Sequence, residues 1–510
     1  MSNFAESFDN EPQREILRAA GYFDEDIKKP FIGVISAYNP LMTGHRGLRE
    51  LEAAVSRGII DKGGTPVVLP LSSVCAGLAN GHHGAKFSLP SRELTADAVE
   101  TLAAAHALDG AVCLGSCGMT VAGMVLGLIR AGVPGLIVGN GSRCAGCAEG
   151  NCGGMPESMN LAVEALGLSL PGNSTLPGDT TERRALARRT GEAVMEAVKH
   201  QLAPRRVITL AALKNAIALN MAVLPSTDTL LHLLAIGRAL GFNFEKFLKP
   251  EILNQISAKT PLLADVRVPL RALDAAGGTG AAIAALLAAK LLDGTALTAT
   301  GKTLAKVYGK CEITNQNVLH TPANPYEKYG GLLILQGNLA ENGAVVRRAG
   351  LDPMTVFSGP ARVFDSVEDA ALAASGGTLR EGDVAVVRFE GPKGGPGMRE
   401  ITPFLAALKK AGLSGKVATV TDGRIASDAE GLNVCHVSPE AYGSNPLAVL
   451  RDDDVVEIDL RKARISVKLS GKELEQRKRR LHVDEKDISG VLRRYKDLAE
   501  DASLGAGTGE

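Results

Sequence analysis

Apolar positions in the first part of the chain recur in two alternating rhythms. Unbroken apolar runs at Phe31–Ala37, Thr65–Leu71, Gly110–Leu114 and Val133–Val138 predict strands. Between them, Arg46–Arg57, Ser91–Ala107 and Thr120–Ala131 space their apolar residues as helices do. This alternation predicts βαβ units and a parallel sheet. Pro204–Asn317 reads as more helical, with strong patterns over Ser226–Leu240 and Gly278–Leu292. From about Ala344 short β-rich runs take over: Asp383–Phe389, Lys416–Val420, Asp454–Leu460 and Ala463–Leu469. They predict a barrel-like or mixed sheet. Lys472–Lys496 is charged and helical, and Asp501–Glu510 is expected to be a disordered tail. The fold class is therefore α/β. The expected division is an α/β domain over 1–343, a β-rich domain over 344–480 closing a cleft, and a helical extension with a tail over 481–510.

Composition narrows the function. The 510 residues carry 56 Lys plus Arg and 56 Asp plus Glu, a formal net charge of zero. No basic excess is available for phosphate contacts, so no nucleic acid partner is expected. No run reaches the roughly 18 apolar residues of a membrane span, and the polar, acidic start does not read as a secretory leader. A cytoplasmic protein is expected. Gly is abundant at 58 residues, and five of the eight Cys lie between Cys113 and Cys152.

Thiols clustered in a reducing compartment hold metal or do chemistry more often than they form disulfides. In an open parallel sheet, ligands bind at the loops leaving the carboxyl ends of the strands. Those loops carry His45, then Cys75, then Cys117, then Cys144, Cys147 and Cys152. Cys113 falls inside a strand and reads as core, as do Cys311 and Cys435. Cys144-x2-Cys147-x4-Cys152, amid Gly and joined by Cys117, suits a soft-metal centre such as zinc or an iron–sulfur cluster.

At these residues the chain resembles the dihydroxy-acid dehydratase and sugar-acid (phosphogluconate) dehydratase family over nearly its whole length. Ser88–Glu93 (SLPSRE), Ser169–Asn173 (SLPGN), Thr300–Thr303 (TGKT), Asn324–Tyr326 (NPY), Gly337–Gly350 (GNLAENGAVVRRAG), Gly359–Ser366 (GPARVFDS), Glu390–Glu400 (EGPKGGPGMRE), Thr421–Arg424 (TDGR) and His436–Ala441 (HVSPEA) carry the resemblance. It implies dehydration of a 2,3-dihydroxy acid to a 2-keto acid. An iron–sulfur cluster acts on the departing hydroxyl, magnesium holds the substrate, and a serine takes the C2 proton. It also implies a homodimer.

The active-site positions depart from the family pattern. Its Cys-Asp-Lys becomes Cys117-Gly118-Met119, and a second magnesium-binding Asp becomes Ala76. The catalytic serine becomes Ala426, followed by Ser427 and Asp428. Gly-Gly-Ser-Thr-Asn becomes Leu224-Pro225-Ser226-Thr227-Asp228, and the early cysteine of many members becomes Gly44. Glu400 is the one magnesium ligand that can be placed, so magnesium is not expected.

The resulting expectation is an atypical iron–sulfur lyase or isomerase acting on a small hydroxy acid or sugar acid. Cys117, Cys152 and Cys147, with Cys75 and Cys144 as further candidates, would hold the cluster. Glu400, Ser427, His45 or Asp428 would supply acid or base. The alternatives are an inactive homologue with a regulatory or scaffolding role, and a metal-binding protein.

Overall fold

Four strands, β1 (Phe31–Ser36), β2 (Thr65–Pro70), β3 (Gly110–Leu114) and β4 (Gly135–Val138), form a parallel sheet in the order β2-β1-β3-β4. The computed structural model describes residues 11–141, 155–443, 445–481 and 486–509. β1, β3 and β4 are buried along their whole length, whereas β2 is partly exposed at the sheet edge. Burial on both faces is why the inner strands read as continuous apolar runs.

The chain divides into two compact units. Unit 1 comprises 1–75, 91–219 and 268–324, and contains the parallel sheet. Helix Leu48–Asp61 packs there against helix Thr181–Lys199, and the contact is too close for side chains. A Cβ on Gly58 would lie 2.0 Å from the Arg188 carbonyl oxygen, and one on Gly191 would lie 2.1 Å from that of Val55. Part of the glycine excess is therefore spent on letting two helix backbones touch.

Unit 2 comprises 76–90, 220–267 and 325–510. Its centre is a closed barrel of mixed strand directions. The strands are β5 (Leu332–Gly337), β6 (Ala340–Arg347), β7 (Val356–Phe364), β8 (Val384–Val387), β9 (Ala418–Thr421), β10 (Asn433–Ser438), β11 (Val455–Asp459) and β12 (Arg464–Val467). They close in the order β10-β6-β5-β12-β11-β7-β8-β9. Leu335, Val346, Val386, Val434, Val456 and Ile458 are among the fully buried residues of its core. Each such side chain contributes about 1.5–3 kcal/mol relative to exposure.

Two sequence expectations need correction. Lys472–Lys496 is not one helical stretch: helices Gly471–Arg480 and Gly490–Leu498 are separate. Residues 501–509 are not a disordered tail. Ala506 is fully buried, the Tyr495 hydroxyl donates to its carbonyl oxygen at 2.8 Å, and Ser438 donates to Asp501. Small residues let this segment fit: a Cβ on Gly505 would lie 2.2 Å from the Ala235 nitrogen. Among the described residues no helix is long and apolar enough to cross a membrane.

Candidate functional site

In unit 1 the loops leaving β1, β2 and β3 are tied together by side-chain bonds. His45 is buried, and both its ring nitrogens are engaged. Nδ1 lies 2.7 Å from the Ala37 carbonyl oxygen, while Nε2 accepts from the backbone N–H of Ser116 at 3.0 Å and of Cys117 at 3.1 Å. An Nε2 that accepts twice carries no proton, so the ring is the neutral Nδ1–H tautomer. Burial agrees, pushing His45 down to about 4 against the pull of the Ala37 carbonyl. These contacts favour a positioning role for His45 over the expected acid–base one. Its ring is used up in holding the Ser116–Cys117 turn.

The same turn is fixed from two more directions. Ser116 Oγ accepts from the Asn140 N–H at 2.7 Å, and the Ser116 carbonyl oxygen accepts from Asn160 Nδ2 at 3.0 Å. Asn140 Nδ2 in turn donates to the Gly44 carbonyl oxygen at 3.0 Å. Cys117 thus stands on a rigid turn as the N-cap of helix Gly118–Ala131, and its half-buried side chain makes no capping bond. A helix N-terminus stabilises a negative ligand atom. Cys75 is also half-buried, at the end of the loop after β2. Cys113 lies buried in β3, where burial pushes its thiol up and makes it inert. Cys435 is buried in β10, and Cys311 is half-buried. Cys144, Cys147 and Cys152 lie outside the described residues. Among the described residues no three His, Cys, Asp or Glu side chains converge as a metal-binding group.

Unit 2 holds a second polar site, built around the Arg424 guanidinium. Arg424 is fully buried. It forms a short ion pair with Asp228, another with Glu400 at 3.2 Å, and donates to the Met398 carbonyl oxygen at 2.7 Å and to Ser88 Oγ at 3.3 Å. The other Glu400 oxygen accepts from Asn80 Nδ2 at 2.7 Å and from the Thr402 hydroxyl at 3.2 Å. Asp228 Oδ1 faces His436 Nε2 at 3.8 Å.

Burial prevails in the shift of Glu400 and is outweighed at Asp228 and His436. On Glu400 burial outweighs the Arg424 charge and raises the carboxyl. On Asp228 burial works against charge, yet Arg424, with His436 and His232 behind it, holds the carboxyl well below its usual range. On His436 burial is again opposed, here by Cys435 and Asp228, and the ring is pushed up to about 9.

The Gly-rich stretch Glu390–Glu400 reaches this site as a fixed loop. Asp422 accepts from the N–H groups of Phe389, Glu390 and Ala441, and Glu440 accepts from those of Lys393 and Gly394. Arg399 pairs with Glu390 at 2.8 Å. Gly397 has φ +93°, and a Cβ there would lie 2.0 Å from the Lys86 carbonyl oxygen. Four non-glycine residues around the site have left-handed backbone: Leu224 at φ 48°, Phe389 at 59°, Met398 at 45° and His436 at 55°. Such conformations gather at functional sites, where the surrounding fold over-determines them.

The sequence-predicted residues thus separate. His45 and Cys117 meet in unit 1; Glu400 lies in the Arg424 cluster of unit 2. Ser427 is buried two residues after Ile425, whose carbonyl oxygen accepts from Thr227, while Asp428 is exposed. Sequence reasoning missed Asp228, Arg424 and His436 as a charged cluster. The signal was there: each stands in a motif quoted for other reasons.

Similarity to known proteins agrees with this layout. The dihydroxy-acid/6-phosphogluconate dehydratase N-terminal family profile matches residues 29–149 and 141–307, and the C-terminal profile matches 317–506. A protein of Clostridium botulinum (strain Alaska E43 / Type E3) named dihydroxy-acid dehydratase is 38% identical, over 97% of this chain and 97% of its own length. One of Desulfitobacterium hafniense with the same name is 38% identical over 98% and 97%, and one of Halothermothrix orenii is 36% identical over 98% of each. The chain therefore belongs to the dihydroxy-acid/6-phosphogluconate dehydratase family.

Proposed function

We propose that the chain is a hydro-lyase that dehydrates a small hydroxy acid or sugar acid, with an iron–sulfur cluster and without magnesium. The observation that carries this is the commitment of Glu400. Its two oxygens are taken by Arg424, Asn80 and Thr402. The other family magnesium positions offer no side-chain oxygen at all: Gly118 and Met119 open a helix, and Ala76 opens another. Magnesium needs several hard oxygen ligands in an octahedron. The residues present do not fit it.

Cys117 does fit a thiolate ligand of a cluster. It is placed at the positive end of a 14-residue helix on a turn fixed by His45, Asn140 and Asn160. Cys152 and Cys147, with Cys75 and Cys144, are the further candidates. A bound cluster would supply Lewis acidity toward a departing hydroxyl. Such thiols suit a reducing cytoplasm. In unit 2, Arg424 keeps Asp228 charged and orients Glu400, and the loop Glu390–Glu400 carries Glu400 and holds Arg424 through the Met398 carbonyl oxygen. Ser427 follows the family's serine position, which is Ala426 here. Its buried hydroxyl is the nearest replacement in sequence.

The test is 2-keto acid formation by the anaerobically reconstituted full chain from 2,3-dihydroxy acids and sugar acids, with and without added magnesium. Formation that is indifferent to magnesium is expected; formation only with magnesium would overturn the proposal. The presence of Ala426 favours a second reading, an inactive homologue. No keto acid from a fully loaded protein across the panel would decide for it.

A further inference from the structure

We propose that Asp228 Oδ1 and His436 Nε2 together receive one hydroxyl group of a small hydroxy acid, a site within unit 2 that rests on the dehydratase reading above. Both residues are buried, each 5% exposed. Neither atom has a hydrogen-bond partner, although they face each other at 3.8 Å. A simple ion pair would close to about 2.8 Å, and buried polar atoms left unpaired are uncommon in native folds.

Both groups are held where they are by other contacts. Arg424 grips the second carboxylate oxygen of Asp228, and Asp228 sits in the first turn of helix Thr227–Ala239, capped by Ser226. His436 lies where the β10–β6 register shifts, with φ 55°. A bulge of this kind re-aims a side chain.

The chemistry selects the ligand class. The pair offers an acceptor oxygen beside a nitrogen that donates when protonated. A ligand carboxylate would meet the charge of Asp228, and a cation would meet Arg424 and His436. A hydroxyl donates once and accepts as well, so it matches both atoms. One oxygen about 2.8 Å from each would touch both. A resident water has the same chemistry, and the experiment separates the two sources.

The experiment is calorimetric titration of the full, anaerobically purified chain with glycerate, the smallest 2,3-dihydroxy acid, and with lactate and 3-hydroxypropionate, which each lack one hydroxyl. Glycerate is expected to bind about tenfold or more tighter than one of the two analogues. In D228N and in H436Q that preference should shrink toward one. Melting curves confirm that each variant is folded, and the wild-type preference is read without any variant. Equal binding of all three acids, no binding of glycerate, or a preference unchanged in both folded variants would each overturn the proposal. A change in melting temperature with unchanged preference would assign the pair to a resident water, and also overturns it. Failure of the dehydratase reading shows separately, as absence of keto acid while the glycerate preference persists.

Discussion

Two buried histidines, one in each unit, do opposite things. In unit 1, His45 is neutral, and both its ring nitrogens are engaged, by loop backbone groups and by the Ser73 hydroxyl. In unit 2, His436 is pushed toward its charged form, lies in strained backbone, and leaves Nε2 without a hydrogen bond, 3.8 Å from Asp228 Oδ1. The same residue type, buried in both places, is fully bonded in one and left with an unbonded Nε2 in the other. The distinction rests on how completely the ring is satisfied. A saturated ring positions its neighbours, here Cys117. An unsaturated ring held at conformational cost, about 1–3 kcal/mol for such backbone, points to a ligand.

The contrast can be broken by substitution. The largest effect should come from R424M in unit 2. It strands Asp228 and Glu400 as buried carboxylates, which costs about 3–5 kcal/mol when a buried pair loses one partner. Urea unfolding should show it, and a loss under 1 kcal/mol would mean the network is weakly coupled to the fold. H45A in unit 1 should cost less, roughly 1–3 kcal/mol, because two backbone donors lose their acceptor but no charge is exposed. The iron bound by H45A after reconstitution should also fall; full retention would free Cys117 from any dependence on this histidine.

The pH dependence follows from the sign of the His436 shift. Its folded value, about 9, lies above the ordinary 6.5. The folded state therefore holds a proton that the unfolded state releases. The stabilisation is complete below about 6.5 and is lost as pH rises toward about 9. Stability profiles of wild type and H436Q should diverge below that window and converge through it. Parallel profiles would show that the ring is not protonated in the fold. The smallest effect belongs to D428N. Asp428 is exposed, so stability should change by no more than about 0.5 kcal/mol.

Much of this layout can be read directly from the chain. β1, β3 and β4 are continuous apolar runs because both sheet faces are covered, and among the described residues Cys75 and Cys117 stand on the loops after β2 and β3. The barrel was harder. β6 and β10 mix small and polar residues with apolar ones, and β10 is interrupted by its register shift, so periodicity fades there. Asp228, Arg424 and His436 are 196 and 12 residues apart along the chain, and only the packing of unit 2 brings them together. The contacts of His45 are hidden from the sequence for a related reason. A histidine beside a thiol reads as chemistry until its two backbone donors are seen.

The central claim is a thiolate-held cluster on a family scaffold that has given up its magnesium. The most direct measurement is elemental analysis of the full chain, reconstituted anaerobically with iron, sulfide and excess magnesium and then desalted. Retained iron and sulfide with no stoichiometric magnesium is the predicted result. One magnesium per chain, or a colourless protein free of iron, would contradict the account.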